Sequence, residues 1–234
     1  MLYFLRLVVI YAYFIFFLML ANIIALFRPF HPNNTHIILK WFKPAFWLGK
    51  IRIDCIGEVP EHPTPAIYLC NHQDLLDIFY FSQVWPKRTV IIGKRALLFF
   101  PLFGTAFWLA GNLFINRSNK KQAWGLMEQV AHALHTKNLN VAFMPEGTRS
   151  RGKGLLPFKL GAFAVAIKAQ VDIIPICASS THLIDCGKLT PKPGKVMYLP
   201  PISTKGMTPD DAEALAQKCH DEMKAAIAAM DASI

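Results

Sequence analysis

No acidic residue occurs between Asp77 and Glu128, and none between Glu146 and Asp172. Into these two gaps fall Lys87, Arg88, Lys94, Arg95, Arg117, Lys120 and Lys121, then Arg149, Arg151, Lys153, Lys159 and Lys168. The net charge of +10 is thus concentrated where anionic lipid, a phosphorylated substrate or nucleic acid could meet it. C-x-x-C pairs are also lacking: Cys55, Cys70, Cys177, Cys186 and Cys219 are scattered and odd in number. That argues against a disulfide framework or a zinc knuckle and suits reduced thiols in a cytosolic compartment. Also missing are H-E-x-x-H, G-x-S-x-G and G-x-x-x-x-G-K-[ST], which removes the usual metalloprotease, serine-hydrolase and P-loop routes. No internal repeat, low-complexity tract or long linker interrupts the 234 residues.

Apolar residues, by contrast, are abundant, at 53 % of the chain. Leu7 to Phe27 carries no charge and one strongly polar residue, Asn22. As a helix this run is about 31 Å long, enough for the hydrocarbon core of a bilayer. A secretory signal is shorter and ends at a small-x-small site, whereas this run ends in "FRPFHP". It reads as a retained membrane anchor, with a buried soluble helix as the alternative. The next apolar segment, "IILKWFKPAFWLGK", is broken by Lys40, Lys43 and Pro44. Its Trp41, Phe42, Phe46 and Trp47 suit the headgroup level and predict an interfacial helix. Arg6 precedes the anchor, but Arg28, Lys40, Lys43, Lys50 and Arg52 follow it, which places the bulk of the chain in the cytoplasm. An anchored chain makes nucleic acid the weakest of the three partners. The expected division is a membrane anchor and interfacial helix over 1–50 and a folded domain over 51–234.

Beyond the anchor, short apolar runs alternate with helical patterns. The strands expected are Ile51–Ile56, Ala66–Cys70, Thr89–Ile92, Leu113–Asn116, Val141–Met144, Ile173–Cys177 and Lys195–Leu199. The helices expected are Leu75–Val84, Arg95–Leu109, Asn119–Thr136, Gly161–Gln170 and Pro209–Asp231, the last capped by Thr208 with Pro209 at its first position. This alternation predicts an α/β fold, a mixed and mostly parallel sheet flanked by helices, preceded by the two-helix anchoring segment. Ligand sites in such folds collect where strand ends meet helix starts.

"YLCNHQDLLDIFYF" places polar groups at one such junction. On one continuous helix His72 and Asp77 would lie about 140° apart. With His72 in a turn after a strand and Asp77 in the first turns of a helix, the imidazole can fold back onto the carboxylate, as a general base with an orienting partner. Equally open from this stretch is a structural reading, with Asp74 as N-cap, Asp77 favoured by the helix dipole and His72 a satisfied turn residue. Cys70 reads as a small core residue and His132 and His135 as a solvated helix face.

"FMPEGTRSRGKGLLPFKLGAF" delivers Glu146, Gly147, Thr148 and Arg149 to the end of another strand. A glycine N–H, hydroxyls and a guanidinium fork are the donors a phosphate monoester requires. A basic surface turn is the plainer alternative. "GNLFINRSN", with Gly111 and Arg117 flanking a short strand, is weak taken alone.

"NHQDLLD", "GNLFINR", "FMPEGTRS" and "IIPI", in this order and at these separations, resemble the four blocks of the glycerolipid acyltransferase family. "GKRALLFFPLFG" and "SRGKGLLPFKLGAF" resemble the branch that acylates lysophosphatidic acid at the bacterial inner membrane. The resemblance covers nearly the whole chain. It implies that His72 is the general base and Asp77 its partner, with no acyl-enzyme. The acyl group would pass from acyl-CoA or acyl-carrier protein, as co-substrate and without a further cofactor or metal, to the sn-2 hydroxyl of 1-acyl-glycerol-3-phosphate. It assigns acceptor binding to Arg117, Glu146, Gly147, Thr148 and Arg149, the acyl-donor side to Pro175, and a phosphate or oxyanion contact to Lys94. Leu97 to Leu109 would line an acyl-chain tunnel or be core. The family often has Ser where this chain has Asp74, and a capping role for that second carboxylate is expected. A cytoplasmic-face catalytic domain on an anionic phospholipid membrane completes the expectation.

Overall fold

The computed structural model describes residues 2–42, 44–46, 50–57, 65–116, 120–184 and 192–234. These form a seven-stranded sheet in the order β1-β7-β6-β2-β5-β3-β4. Its strands are β1 (Ile53–Ile56), β2 (Ile67–Cys70), β3 (Thr89–Lys94), β4 (Leu113–Ile115), β5 (Asn140–Phe143), β6 (Ile173–Ala178) and β7 (Gly194–Tyr198). All pairings are parallel except β6 with β7. The helices are α1 (Leu2–Phe27), α2 (Asn34–Lys40), α3 (Asp77–Val84), α4 (Phe103–Leu109), α5 (Lys120–Thr136), α6 (Gly161–Ala169) and α7 (Ala212–Ala232).

Every residue of β2 and β6 is buried, as expected of central strands with helices on both faces. The period-2 geometry sends Ile67 and Leu69 into a core with Leu134 of α5, Phe163 of α6, Met223 of α7 and Ile173 of β6. Tyr68 and Cys70 point the other way, to Tyr80 and Phe81 of α3 and to Ile174 and Ile176 of β6. Full burial of each such aliphatic side chain contributes about 1.5–3 kcal/mol. The sheet therefore fixes the turn after β2 from both sides.

The expected helix over Arg95–Leu109 is in fact two pieces, a 3-10 turn at Arg95–Phe99 and α4. Pro101 lies between them, and the chain folds tightly enough there that Gly104 N–H reaches the Phe100 carbonyl at 2.8 Å. A Cβ at position 104 would lie 2.2 Å from the Leu98 carbonyl oxygen. Gly104→Ala should therefore destabilise the fold by about 1–3 kcal/mol, seen as a lower melting temperature. Leu98, Phe99, Phe100, Leu102 and Trp108 are exposed, so most of this run is not core. The expected last helix starts as a 3-10 turn, and Thr208 and Asp211 form a capping box there.

The N-terminal segment corrects the spanning anchor. Among the described residues no helix is long and apolar enough to cross a membrane. Although α1 has 26 residues, its C-terminal half is committed to the domain: Phe17, Leu18, Ala21 and Ala25 are buried with Ile38, Phe42, Phe79 and Ala106. Asn22 donates to the Leu102 carbonyl at 2.8 Å, so the one polar group of the run has a protein partner rather than lipid. Leu2 to Ala12, the stretch ahead of this packing, is only about 17 Å long. Phe42, expected at the headgroup level, sits instead 5.0 Å from the rings of both Phe17 and Phe79. Trp41 is exposed. Lys43 and Trp47 lie outside the described residues.

Candidate active site

The C-terminal ends of β2, β5 and β6 are neighbours, with Leu69 opposite both Phe143 and Pro175. Parallel pairing carries the turn 71–76, the loop 144–151 and the segment 179–181 to one edge of the sheet. Asn71 continues the β2–β6 ladder with its side chain: its Nδ2 donates to the Ala178 carbonyl at 2.9 Å, and Ala178 N–H donates to its Oδ1 at 2.8 Å. This side chain behaves as one more backbone pair and holds the turn in line with β6.

His72 and Asp77 meet there. The Nδ1–H of His72 donates to Asp77 Oδ2 at 2.6 Å, and Gln73 N–H donates to the same oxygen at 2.8 Å. The Asp77 side chain is 5 % exposed and the His72 side chain 21 %, so the carboxylate is covered while the ring reaches the surface. With Asp77 accepting, Nδ1 keeps its hydrogen and Nε2 is left with a lone pair. Burial pushes the Asp77 carboxyl above the usual carboxylate range, against the lowering by its bonds to His72 and Gln73. It is buried enough to hold the imidazole in one tautomer and to stabilise its cation.

Glu146, 3 % exposed, braces the backbone beneath this pair. Its Oε1 accepts from His72 N–H at 2.6 Å and its Oε2 from Leu156 N–H at 3.0 Å. Burial raises its carboxyl as well, partly offset by those two bonds. Ser150 N–H donates to the His72 carbonyl at 2.8 Å and Arg151 N–H to the Gln73 carbonyl at 3.1 Å, so the loop 144–151 grips the histidine turn along its backbone. Both oxygens of Glu146 are thereby engaged with backbone inside the fold. Gly147 adopts φ +70°, and a Cβ there would lie 2.9 Å from Cε and Nζ of Lys159. Lys159 therefore lies over this loop, a cation that sequence reasoning did not single out. Its signal was present in "PFKLG", downstream in the same acid-free stretch. Thr148 and Arg149 are exposed on the loop, and Lys94 is exposed at the end of β3. Pro175 is within buried β6. Arg117 and Cys186 lie outside the described residues.

Asp74 is not the N-cap residue of α3; that position is Leu76. Asp74 instead accepts from Leu76 N–H at 2.7 Å, an Asx turn ahead of the helix, and from Thr181 Oγ1 at 2.6 Å. Both its oxygens are thus engaged. Cys70 is fully buried in β2, and burial raises its thiol well above the ordinary value, so it stays protonated and packed. His135 is not merely solvated: its Nε2 bonds the Ala169 carbonyl at 2.7 Å.

An imidazole held by a covered carboxylate at a strand-end edge, beside a loop carrying Thr148 and Arg149, has the parts of a general-base centre for a phosphorylated substrate. Similarity to known proteins specifies the class. The family model described as "Acyltransferase" matches residues 52–179, more than half of the chain. The 1-acyl-sn-glycerol-3-phosphate acyltransferase of Haemophilus influenzae is 39 % identical over 219 residues, covering 92 % of this chain and 90 % of the relative. That of Escherichia coli is 36 % identical over 236 residues, covering 100 % and 96 %. The 1-acyl-sn-glycerol-3-phosphate acyltransferase alpha of Mus musculus is 38 % identical over 226 residues, covering 94 % and 79 %. The chain belongs to the acyltransferase family and is an enzyme of that class. In fold it is similar to the 1-acyl-sn-glycerophosphate (LPA) acyltransferase of Thermotoga maritima, with a TM-score of 0.73 and 22 % identity over 98 % of each chain.

Proposed function

We propose that this enzyme transfers an acyl group from a thioester, acyl-CoA or acyl-carrier protein, to the sn-2 hydroxyl of 1-acyl-glycerol-3-phosphate, forming phosphatidic acid. The observation that carries the reading is the hydrogen-bonded His72–Asp77 pair at the strand ends beside the 144–151 loop. Nε2 of His72 takes the hydroxyl proton as the oxygen attacks the thioester carbonyl. The tetrahedral intermediate then collapses, the C–S bond breaks, and the thiolate leaves with the proton returned by the imidazolium. A thioester is already activated, so no acyl-enzyme, cofactor or metal is required. Arg149, with Arg117, clamps the acceptor phosphate, and Gly147 and Thr148 line its approach. Glu146 serves by holding His72, and Lys94 lies on the side of the phosphate or the developing oxyanion.

The names of the curated relatives support this acceptor, and the surface supports its delivery from a lipid layer. Phe4, Tyr11, Ile15, Phe16 and Phe27 of α1 are exposed, as are Phe99, Phe100 and Trp108. Phe30, exposed shortly after α1, makes an edge contact with Trp108, ring centroids 5.0 Å apart. Exposed apolar side chains of this kind enter one leaflet of an anionic membrane from its cytoplasmic side, and the basic residues of the acid-free stretches meet its headgroups.

An acceptor panel tests the reading. The purified enzyme should acylate lysophosphatidic acid but neither the same lipid lacking its phosphate nor one whose sn-2 hydroxyl is blocked. Equal turnover without the phosphate would point to another lysolipid. Arg149→Ala should raise KM for the acceptor about 10- to 150-fold, the loss of charge-assisted bonds of about 1.5–3 kcal/mol. A rise in the thioester's KM alone would remove the clamp assignment.

A further inference from the structure

Segment 179–181, at the exit of β6, touches the histidine turn through side chains that the reaction itself does not use. Gln73, 8 % exposed, donates from Nε2 to the Ser179 carbonyl at 2.8 Å and accepts at Oε1 from Thr181 N–H at 2.9 Å. Thr181, 4 % exposed, sends its hydroxyl to Asp74 Oδ2 at 2.6 Å, the length of a charge-assisted bond. Ser180 is held from the opposite side by the C-terminal helix: its N–H and hydroxyl donate to the two carboxylate oxygens of Asp231, at 2.7 and 2.6 Å. Hydrogen bonds therefore tie Ser180 to Asp231 of α7, and its chain neighbour Thr181 to Gln73 and Asp74, the two residues that follow His72.

We propose that Thr181 is a positioning residue for the catalytic histidine, closing with Asp74 and Gln73 a latch whose outer end is anchored by Asp231. Glu146 and the 144–151 loop grip the His72 turn by its backbone from the β5 side. The latch grips it from the β6 side, at Gln73 and Asp74. With one grip released, the turn can relax toward the cleft of about 220 Å³ lined by Asn71, Gln73, Glu146, Ser150, Ser180 and His182. Displacement of a base by about 1 Å is enough to cost up to 10²-fold in rate. The same reading explains why a second carboxylate stands two residues from His72: both oxygens of Asp74 are spent on the Leu76 N–H and the Thr181 hydroxyl.

The inference rests on His72 acting as the base, and the experiment separates the two. Steady-state kinetics would be measured for Thr181→Val, Thr181→Ser, Asp231→Ala and His72→Ala on the full chain, with a melting curve for each. Thr181→Val keeps the shape and removes the hydroxyl; its kcat should fall roughly ten- to a hundredfold with both KM values little changed, and Thr181→Ser should restore most of the loss. Asp231→Ala should lower kcat in the same direction by less. Wild-type kcat in Thr181→Val, or an equal loss in Thr181→Ser, overturns the latch. Should Thr181→Val fail to fold, wild-type kcat in Asp231→Ala overturns it instead. If His72→Ala retains turnover, the base assignment is at fault whatever Thr181 does; if His72→Ala is dead and Thr181→Val is wild type, only the latch fails.

Discussion

Replacing His72 with Ala should lower kcat by roughly 10²–10⁴-fold, the range that a positioned general base contributes. The sn-2 hydroxyl is a poor nucleophile until its proton is taken, and the His72 ring, 21 % exposed, has one nitrogen on its carboxylate partner and the other without a hydrogen-bond partner among the described residues. Fold and binding should persist. The His72 backbone is held by Glu146 through N–H and by Ser150 through its carbonyl, and neither contact involves the imidazole. The acceptor's KM should therefore move little, and the melting temperature should stay close to that of the wild type. A loss of kcat with an equal loss of folded protein would instead mean that the ring is a structural group.

Asp77→Asn should cost a comparable amount in kcat with little change in stability. The oxygen that accepts from both His72 and Gln73 can be replaced by the amide oxygen, so the tautomer is kept. What is lost is the negative charge that stabilises the imidazolium, in a covered position where charge acts strongly. Stability follows from the sign of the Asp77 shift. Burial raises its carboxyl, so the folded chain binds that proton more readily than the unfolded chain does. The contribution from this group is fully present below the unfolded carboxylate pKa and is lost as pH rises through the raised value. At neutral pH the ionised Asp77 thus costs stability, and its Oδ1 is buried without a partner among the described residues. Asn removes that cost but leaves an amide hydrogen-bond donor in the same position, about 1–3 kcal/mol in the other direction. The melting temperature at neutral pH should therefore change little while kcat collapses. A large fall in both would show that Asp77 is held chiefly for the fold.

Local patterns made much of this architecture readable in advance. Each expected strand lies on a strand of the sheet, because buried β-strands bounded by turn residues are short and continuous in the sequence. The His72–Asp77 contact was legible as spacing, since a strand, a turn and a helix start leave few ways to place residues five apart. What stayed hidden depends on residues far apart in the chain. Nothing near Thr181 announces that its hydroxyl meets Asp74, 107 positions away. Glu146 reads as a substrate group in "EGTR", yet its carboxylate turns inward to the His72 and Leu156 N–H groups. The apolar run at the start has the length of a membrane span, but pairing of Asn22 with Leu102 and burial of Ala21 and Ala25 join its second half to the domain. Periodicity records that a face is apolar and not what covers it.

A single-turnover experiment with a labelled acyl thioester tests the central claim most directly. With lysophosphatidic acid present, the wild-type enzyme should convert the label to phosphatidic acid and the His72→Ala variant should not. With the acceptor withheld, no label should remain on denatured protein, because in the proposed mechanism His72 activates the acceptor hydroxyl and carries no acyl group itself. Label covalently retained on the wild-type chain without acceptor, or wild-type turnover by His72→Ala, would contradict direct transfer by a general base.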